Sequence, residues 1–137
     1  MSTDSPPGAQ ETTWHHRVSY GETDAMGHAY YGEYLHWFEQ ARSQLIRERG
    51  MSYALVEERG LYLPVAEAGC RYRRPVRFDQ EIAVQAVVSA WGRASCTFSY
   101  RVSSQETLVA EGSTRHACVD KTGRPVAMPD WLRRLFD

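Results

Sequence analysis

No stretch of this 137-residue chain approaches the ~20 consecutive apolar residues that a membrane-spanning helix needs. The first dozen residues, MSTDSPPGAQET, have neither a basic start nor an apolar segment. No secretory signal is visible in them. They predict a disordered tail over residues 1–12, ahead of a single domain over residues 13–137. Charge of one sign is missing too. Sixteen Lys and Arg face seventeen Asp and Glu, for a formal net charge of −1. That excludes a general pull toward nucleic acid or an anionic membrane and leaves room for one small basic pocket. Cysteine is scarce and odd in number: Cys70, Cys96 and Cys118 lie far apart. The expectation is reduced thiols in a cytoplasmic protein, each a small buried side chain.

Several catalytic signatures are absent. The chain has no G-x-S-x-G elbow, no Walker loop and no G-x-G-x-x-G. His15 and His16 are adjacent, so a strand would send them to opposite faces. His28 and His36 are eight residues apart across a loop-to-helix junction. No His pair has the three- or four-residue helical spacing of a metal site, so no metal and no cofactor is expected.

What is present is ordered. TWHHRVSY alternates as a first strand. From Tyr31, the apolar positions Tyr34, Leu35, Phe38, Ala41, Leu45 and Ile46 predict a helix of about 17 residues that stops at Gly50. A short second helix fits Ser52 to Gly60. The period then shortens to two over LYLPVAEAGCRYRRPVRF, EIAVQAVVSAW, RASCTFSYRVSS and TLVAEGSTRHACVD. These read as four antiparallel strands joined by short turns. MPDWLRRLF closes the chain as a short helix with Pro129 in its first turn. One long helix with five antiparallel strands is an α+β layer arrangement. The open sheet edges call for a homo-oligomer. A cone-shaped fold of the nuclear-transport-factor type fits less well, because it carries more helix before its sheet. The basic run RYRRPVR, Arg71 to Arg77, reads as a solvated strand edge or a set of ion pairs.

The loop GETDAMGHA carries the candidate chemistry. Asp24 fits a cap of the helix or of the turn before it. A helix beginning near Tyr31, however, puts Asp24 seven residues too early to cap it. Gly27 and Gly32 bracket a place where backbone can approach a ligand closely. The free N–H groups of the helix start face the loop, and such donors stabilise an oxyanion by ~3 kcal/mol each. A carboxylate beside them is what ester or thioester hydrolysis needs, since it can attack the carbonyl or activate water.

The stretch YGETDAMGHAYYGEYLHWFEQAR, with RYRRPVRFDQEIAV, WGRASCTFSYRV and VAEGSTRHACVD after it, resembles the hotdog-fold acyl-CoA thioesterases. The 4-hydroxybenzoyl-CoA and Tol-Pal-associated groups match best. The resemblance implies a long central helix wrapped by a five-stranded antiparallel sheet, and a dimer that pairs into a tetramer. It implies hydrolysis of an acyl-CoA, or of an acyl-carrier-protein thioester. Asp24 falls at the T-D-x-x-G aspartate, as nucleophile or general base. Gly27 falls in the substrate-binding part of that loop. Tyr31 falls at the helix-start residue whose backbone N–H polarises the carbonyl. Many relatives have histidine there; tyrosine keeps only the backbone role. Arg93 falls where basic residues hold the CoA phosphates. Glu39 is the mid-helix carboxylate that a second hotdog lineage uses for catalysis. The alternative reading is a hotdog module that binds acyl-CoA without turnover, and a hotdog dehydratase lacks its histidine–carboxylate pair here. Tyr30, Tyr31, Trp37 and Tyr62 suit an aromatic or an aliphatic acyl pocket equally.

Overall fold

The computed structural model describes residues 11–136. The chain runs through β1 (Glu11–Arg17), a single 3₁₀ turn (Tyr20–Glu22), α1 (Glu33–Glu48), α2 (Tyr53–Glu58), β2 (Val65–Tyr72), β3 (Glu81–Gly92), β4 (Ser95–Ser104), β5 (Thr107–Ala117) and α3 (Asp130–Arg134). All five strands form one antiparallel sheet in the order β1-β3-β4-β5-β2. The long helix packed on one face of this sheet is the hotdog arrangement. Among the described residues no helix is long and apolar enough to cross a membrane.

Inward-facing side chains alternate along the central strands. Ile82, Val84 and Ala86 of β3 are buried, as are Cys96, Phe98, Tyr100 and Val102 of β4. Period two puts them on one face, and α1 covers that face. The helix buries Tyr34, Trp37, Phe38, Ala41, Leu45 and Ile46. Phe38 stacks on Tyr100 at 4.2 Å between ring centroids. Glycine is required beneath it: a Cβ on Gly112 would stand 2.3 Å from the Gly69 carbonyl oxygen and 2.8 Å from the Phe38 ring. Burying side chains of this size contributes about 1.5–3 kcal/mol each.

Several boundaries depart from expectation. The predicted tail at residues 1–12 lies outside the described residues except for Glu11 and Thr12, which open β1. β1 ends at Arg17 because Ser19 starts a tight turn: the Glu22 N–H donates to the Ser19 carbonyl, and the Ser19 N–H to the Glu22 carboxylate. The helix begins at Glu33 with Gly32 as its cap, and Gly50, at φ 91°, ends it as predicted. Trp37 replaces Leu35 in the buried stripe. Positions 34, 37, 38, 41 and 45 share one helical face, and Leu35 points away and is 42% exposed. The expected strand over residues 61–78 shrinks to Val65–Tyr72. The N–H groups of Arg73 and Arg74 both turn to the Val109 carbonyl, and Pro75 has no N–H to continue a ladder. Pro129 precedes α3 as its cap rather than sitting in its first turn. The β4–β5 hairpin turns on Gln105 and Glu106, both at positive φ, the backbone of a two-residue type I′ turn.

Candidate active site

The segment between the 3₁₀ turn and α1 folds on itself. Thr23 bridges Ala29, and His28 bridges Arg77 beyond the end of β2. The Ala29 N–H donates to the Val76 carbonyl, and the Tyr30 N–H to that of Glu22. Gly27, at φ 78°, makes the reversal, in a backbone region that favours glycine. Its N–H donates to the Asp24 carbonyl at 2.9 Å.

Asp24 is exposed at the tip. Its Oδ1 accepts from the N–H of Met26 at 2.9 Å and of His28 at 3.2 Å. The turn-capping role considered from sequence is therefore present, and it occupies one carboxylate oxygen. For Oδ2 no hydrogen bond is found among the described residues. The carboxylate is fixed in direction and keeps a free oxygen.

Asp24 lines a groove of about 280 Å³ with His28, Tyr31, Tyr34, Tyr72 and Arg74. Tyr31 and Gly32 stand at the start of α1. Glu33 and Tyr34 donate their N–H groups to the carbonyls of Tyr30 and Tyr31, so the unsatisfied donors of this helix move to Tyr31 and Gly32. Neither of those N–H groups meets an acceptor among the described residues. The tyrosines are held by one another. Tyr72 sits edge-on to Tyr34 at 4.9 Å and to Tyr31 at 6.4 Å. Burial raises the Tyr34 and Tyr72 phenols to about 12, so both remain protonated hydrogen-bond donors. In the same groove Arg73 is tied to Glu111.

The neighbouring carboxylate, Glu22, turns inward. It accepts from Trp37 Nε1 at 2.9 Å and from the Ser19 N–H at 2.7 Å, and it pairs with His16 Nε2 at 2.9 Å. Burial pushes this carboxyl up, but the hydrogen bonds outweigh it and bring it down to about 2.

The fold brings Asp24, Gly27 and Tyr31 together and leaves Arg93 apart. Arg93 lies exposed in the β3–β4 turn, where its carbonyl accepts from the Met128 N–H. That turn adjoins the Ala117 end of β5 and hence the Val65 end of β2, whereas the Asp24 groove adjoins Tyr72. The length of β2 separates them, about 23 Å for seven steps of ~3.3 Å. Glu39 pairs with His36, one helical turn before it, at 3.3 Å. Of the expected acyl-pocket aromatics, Tyr31 lines the groove, Trp37 is fully buried against Glu22, and Tyr62 pairs with Val119 instead.

Sequence reasoning missed Tyr72 and Arg74 as groove residues. Their signal was the run RYRRPVR, which begins at the end of β2 and read as a solvated strand edge or a set of ion pairs. It missed His116 as well. This side chain is buried, donates from Nδ1 to the Leu63 carbonyl, shares a hydrogen bond between Nε2 and Thr114 Oγ1, and is lowered to about 4 by burial and by Arg42. The Leu63 carbonyl opposes that shift.

Comparison with known proteins gives a consistent result. The family described as Thioesterase-like superfamily matches residues 18–136. A putative esterase of Aquifex aeolicus is 34% identical over 113 residues, 82% of this chain and 88% of that protein. The acyl-CoA thioesterase YbgC of Haemophilus influenzae is 31% identical over 122 residues, 88% of this chain and 90% of that one. Among solved structures, a hypothetical protein from Aquifex aeolicus superposes with a TM-score of 0.88 at 29% identity, covering 92% of this chain and 99% of its own.

Proposed function

The chain belongs to the thioesterase-like superfamily, and from that premise we propose that it hydrolyses an acyl-CoA thioester in the Asp24 groove. The observation that carries this is one juxtaposition. A carboxylate with one oxygen held and one free shares a groove with the open N–H groups at the start of α1.

The chemistry follows from that placement. The thioester carbonyl oxygen lies toward the Tyr31 N–H, and the carbonyl carbon lies toward Asp24. In one route Oδ2 attacks the carbon, the C–S bond breaks, CoA leaves as the thiolate, and water then opens the acyl–aspartate anhydride. In the other, Oδ2 takes a proton from a water that attacks the same carbon. The C–S bond breaks as the tetrahedral adduct collapses, and the proton passes from Asp24 to the departing thiolate. Negative charge develops on the carbonyl oxygen in both, and preorganised N–H donors stabilise it most in the transition state. In single-turnover hydrolysis in ¹⁸O water, label in Asp24 identifies the first route, because it enters only when water opens the anhydride at the aspartyl carbon. The test of the site is Asp24→Asn, which should remove turnover while keeping substrate binding. Full turnover by that variant sinks the proposal and favours a binding module.

The proposal includes assembly. β2 is an edge strand whose residues are exposed apart from Cys70. Pairing with a second copy would satisfy its outer N–H and C=O groups. Two identical edges related by a two-fold axis pair antiparallel. That arrangement brings the Val65 end of one copy to the Tyr72 end of the other, and with it the second copy's Arg93 toward Asp24. It supports a role for Arg93 in CoA phosphate binding that one protomer cannot supply. A dimer pairing into a tetramer is the expected state, and light scattering showing a monomer at micromolar concentration would remove the shared site. Three free cysteines, two of them buried, fit the reducing cytoplasm.

A further inference from the structure

We infer that Tyr72 is a positioning residue, whose hydroxyl aims and strengthens the Gly32 N–H as a second donor to the thioester oxygen. The inference rests on the hydrolytic reading of the Asp24 groove. Tyr72 lies at the end of β2, 41 residues beyond Tyr31, and its hydroxyl donates to the Tyr31 carbonyl at 2.9 Å. The Tyr31 carbonyl and the Gly32 N–H are the two ends of one planar trans peptide and point in opposite directions. A donor held at the oxygen end therefore sets the direction of the N–H end. It also draws electron density toward the oxygen, which makes the N–H a better donor, an effect of about 10–30% per added bond.

The rest of the geometry fits this role. The same carbonyl accepts from the Tyr34 N–H at 3.3 Å, so two donors pull on one oxygen. The Gly32 N–H has no acceptor among the described residues. Glycine is needed at position 32, because a Cβ there would stand 2.9 Å from the Tyr30 ring. The Tyr72 ring is held edge-on by Tyr34 and Tyr31, so its hydroxyl does not swing freely. Its high phenol pKa keeps the proton in place across the working pH range.

A purely structural Tyr72 would tie β2 to the loop and do nothing to the substrate. Tyr72→Phe separates the two, because it keeps the ring contacts and deletes only the hydroxyl. The substrate is whichever of benzoyl-, butyryl- and palmitoyl-CoA the native protein turns over best. Its ketone analogue, with CH₂ in place of sulfur and ¹³C at the carbonyl, is read by isotope-edited infrared spectroscopy. We expect kcat to fall about threefold, since only a fraction of the Gly32 donor's stabilisation depends on Tyr72. KM should be unchanged, and the low-frequency shift of the bound carbonyl should shrink. Substituting 3-fluorotyrosine at position 72, a stronger donor on the same frame, should enlarge that shift, and it serves if Tyr72→Phe does not fold. An unchanged carbonyl frequency in either variant overturns the inference, even where kcat falls. An unchanged kcat in Tyr72→Phe overturns it as well. Full activity of Asp24→Asn would instead strike the hydrolytic reading, whatever Tyr72 does.

Discussion

Glu22 and Asp24 stand two residues apart in one loop, and their surroundings are opposite. The inner side of the loop holds Glu22 against Trp37, His16 and the Ser19 N–H, with both oxygens engaged. The outer side presents Asp24, with backbone donors on Oδ1 alone. A carboxylate whose lone pairs are all taken stabilises the fold and has nothing left to give a substrate. One anchored through a single oxygen is held still and remains reactive. The difference lies in which side of a short hairpin each residue faces, since the amino-acid types are nearly interchangeable.

The comparison breaks most sharply at Asp24. Asp24→Asn should lower kcat by ~10³-fold or more. Asn caps a turn about as well as Asp, so melting temperature and substrate binding should change little. Steady-state kinetics beside a thermal melt checks both halves. Glu22→Gln should do the reverse. It weakens three charge-assisted hydrogen bonds at a partly buried site, for a stability loss of about 1–3 kcal/mol. Activity per folded molecule should stay near native. A large kcat loss in a fully folded Glu22→Gln protein would mean that the two carboxylates act as one unit.

Acid sharpens the contrast. The Glu22 carboxyl is held from 4.5 down to about 2, so its contribution is full above pH 4.5 and is lost as pH falls toward 2. His116 is lowered from 6.5 to about 4, so the unfolded chain takes up its proton first. Its contribution is full above pH 6.5 and is lost as pH falls toward 4. Urea midpoints should therefore decline in two stages below pH 6.5, and Glu22→Gln should flatten only the lower one. Smaller effects lie away from the loop. Arg93→Ala should raise KM for acyl-CoA about threefold at nearly constant kcat. The effect should fade at high salt and vanish with a pantetheine thioester that lacks the nucleotide. Glu39→Gln should change least of all, because its carboxylate is exposed and, among the described residues, its one ion pair is with His36. Loss of activity there would move the chemistry from the loop to the helix.

Much of this was legible in the residues. The spacing of apolar positions gave the helix, Gly50 its end, and alternation the four later strands, because these features depend on neighbours one to four residues away. The loop was legible for the same reason: a carboxylate, flanking glycines and a helix start lie within nine residues. The Leu35-for-Trp37 exchange shows the limit of reading periodicity by eye. Trp37, not Leu35, falls on the face that positions 34, 38, 41 and 45 share, and it packs there against Glu22 and His16.

By itself the sequence determined that one long amphipathic helix meets an antiparallel sheet, and that Asp24 precedes the helix at a distance too great for capping it. Periodicity, turn residues and helix ends are local properties, and local spacing encodes them. Only the tertiary structure decided the order β1-β3-β4-β5-β2, which leaves β2 as a bare edge and puts Arg93 a strand's length from Asp24. It alone brought the Tyr72 hydroxyl to the Tyr31 carbonyl and enclosed His116. Those facts join residues dozens of positions apart. They depend on which strands pair and on what the helix covers, and the packing of the whole domain settles that.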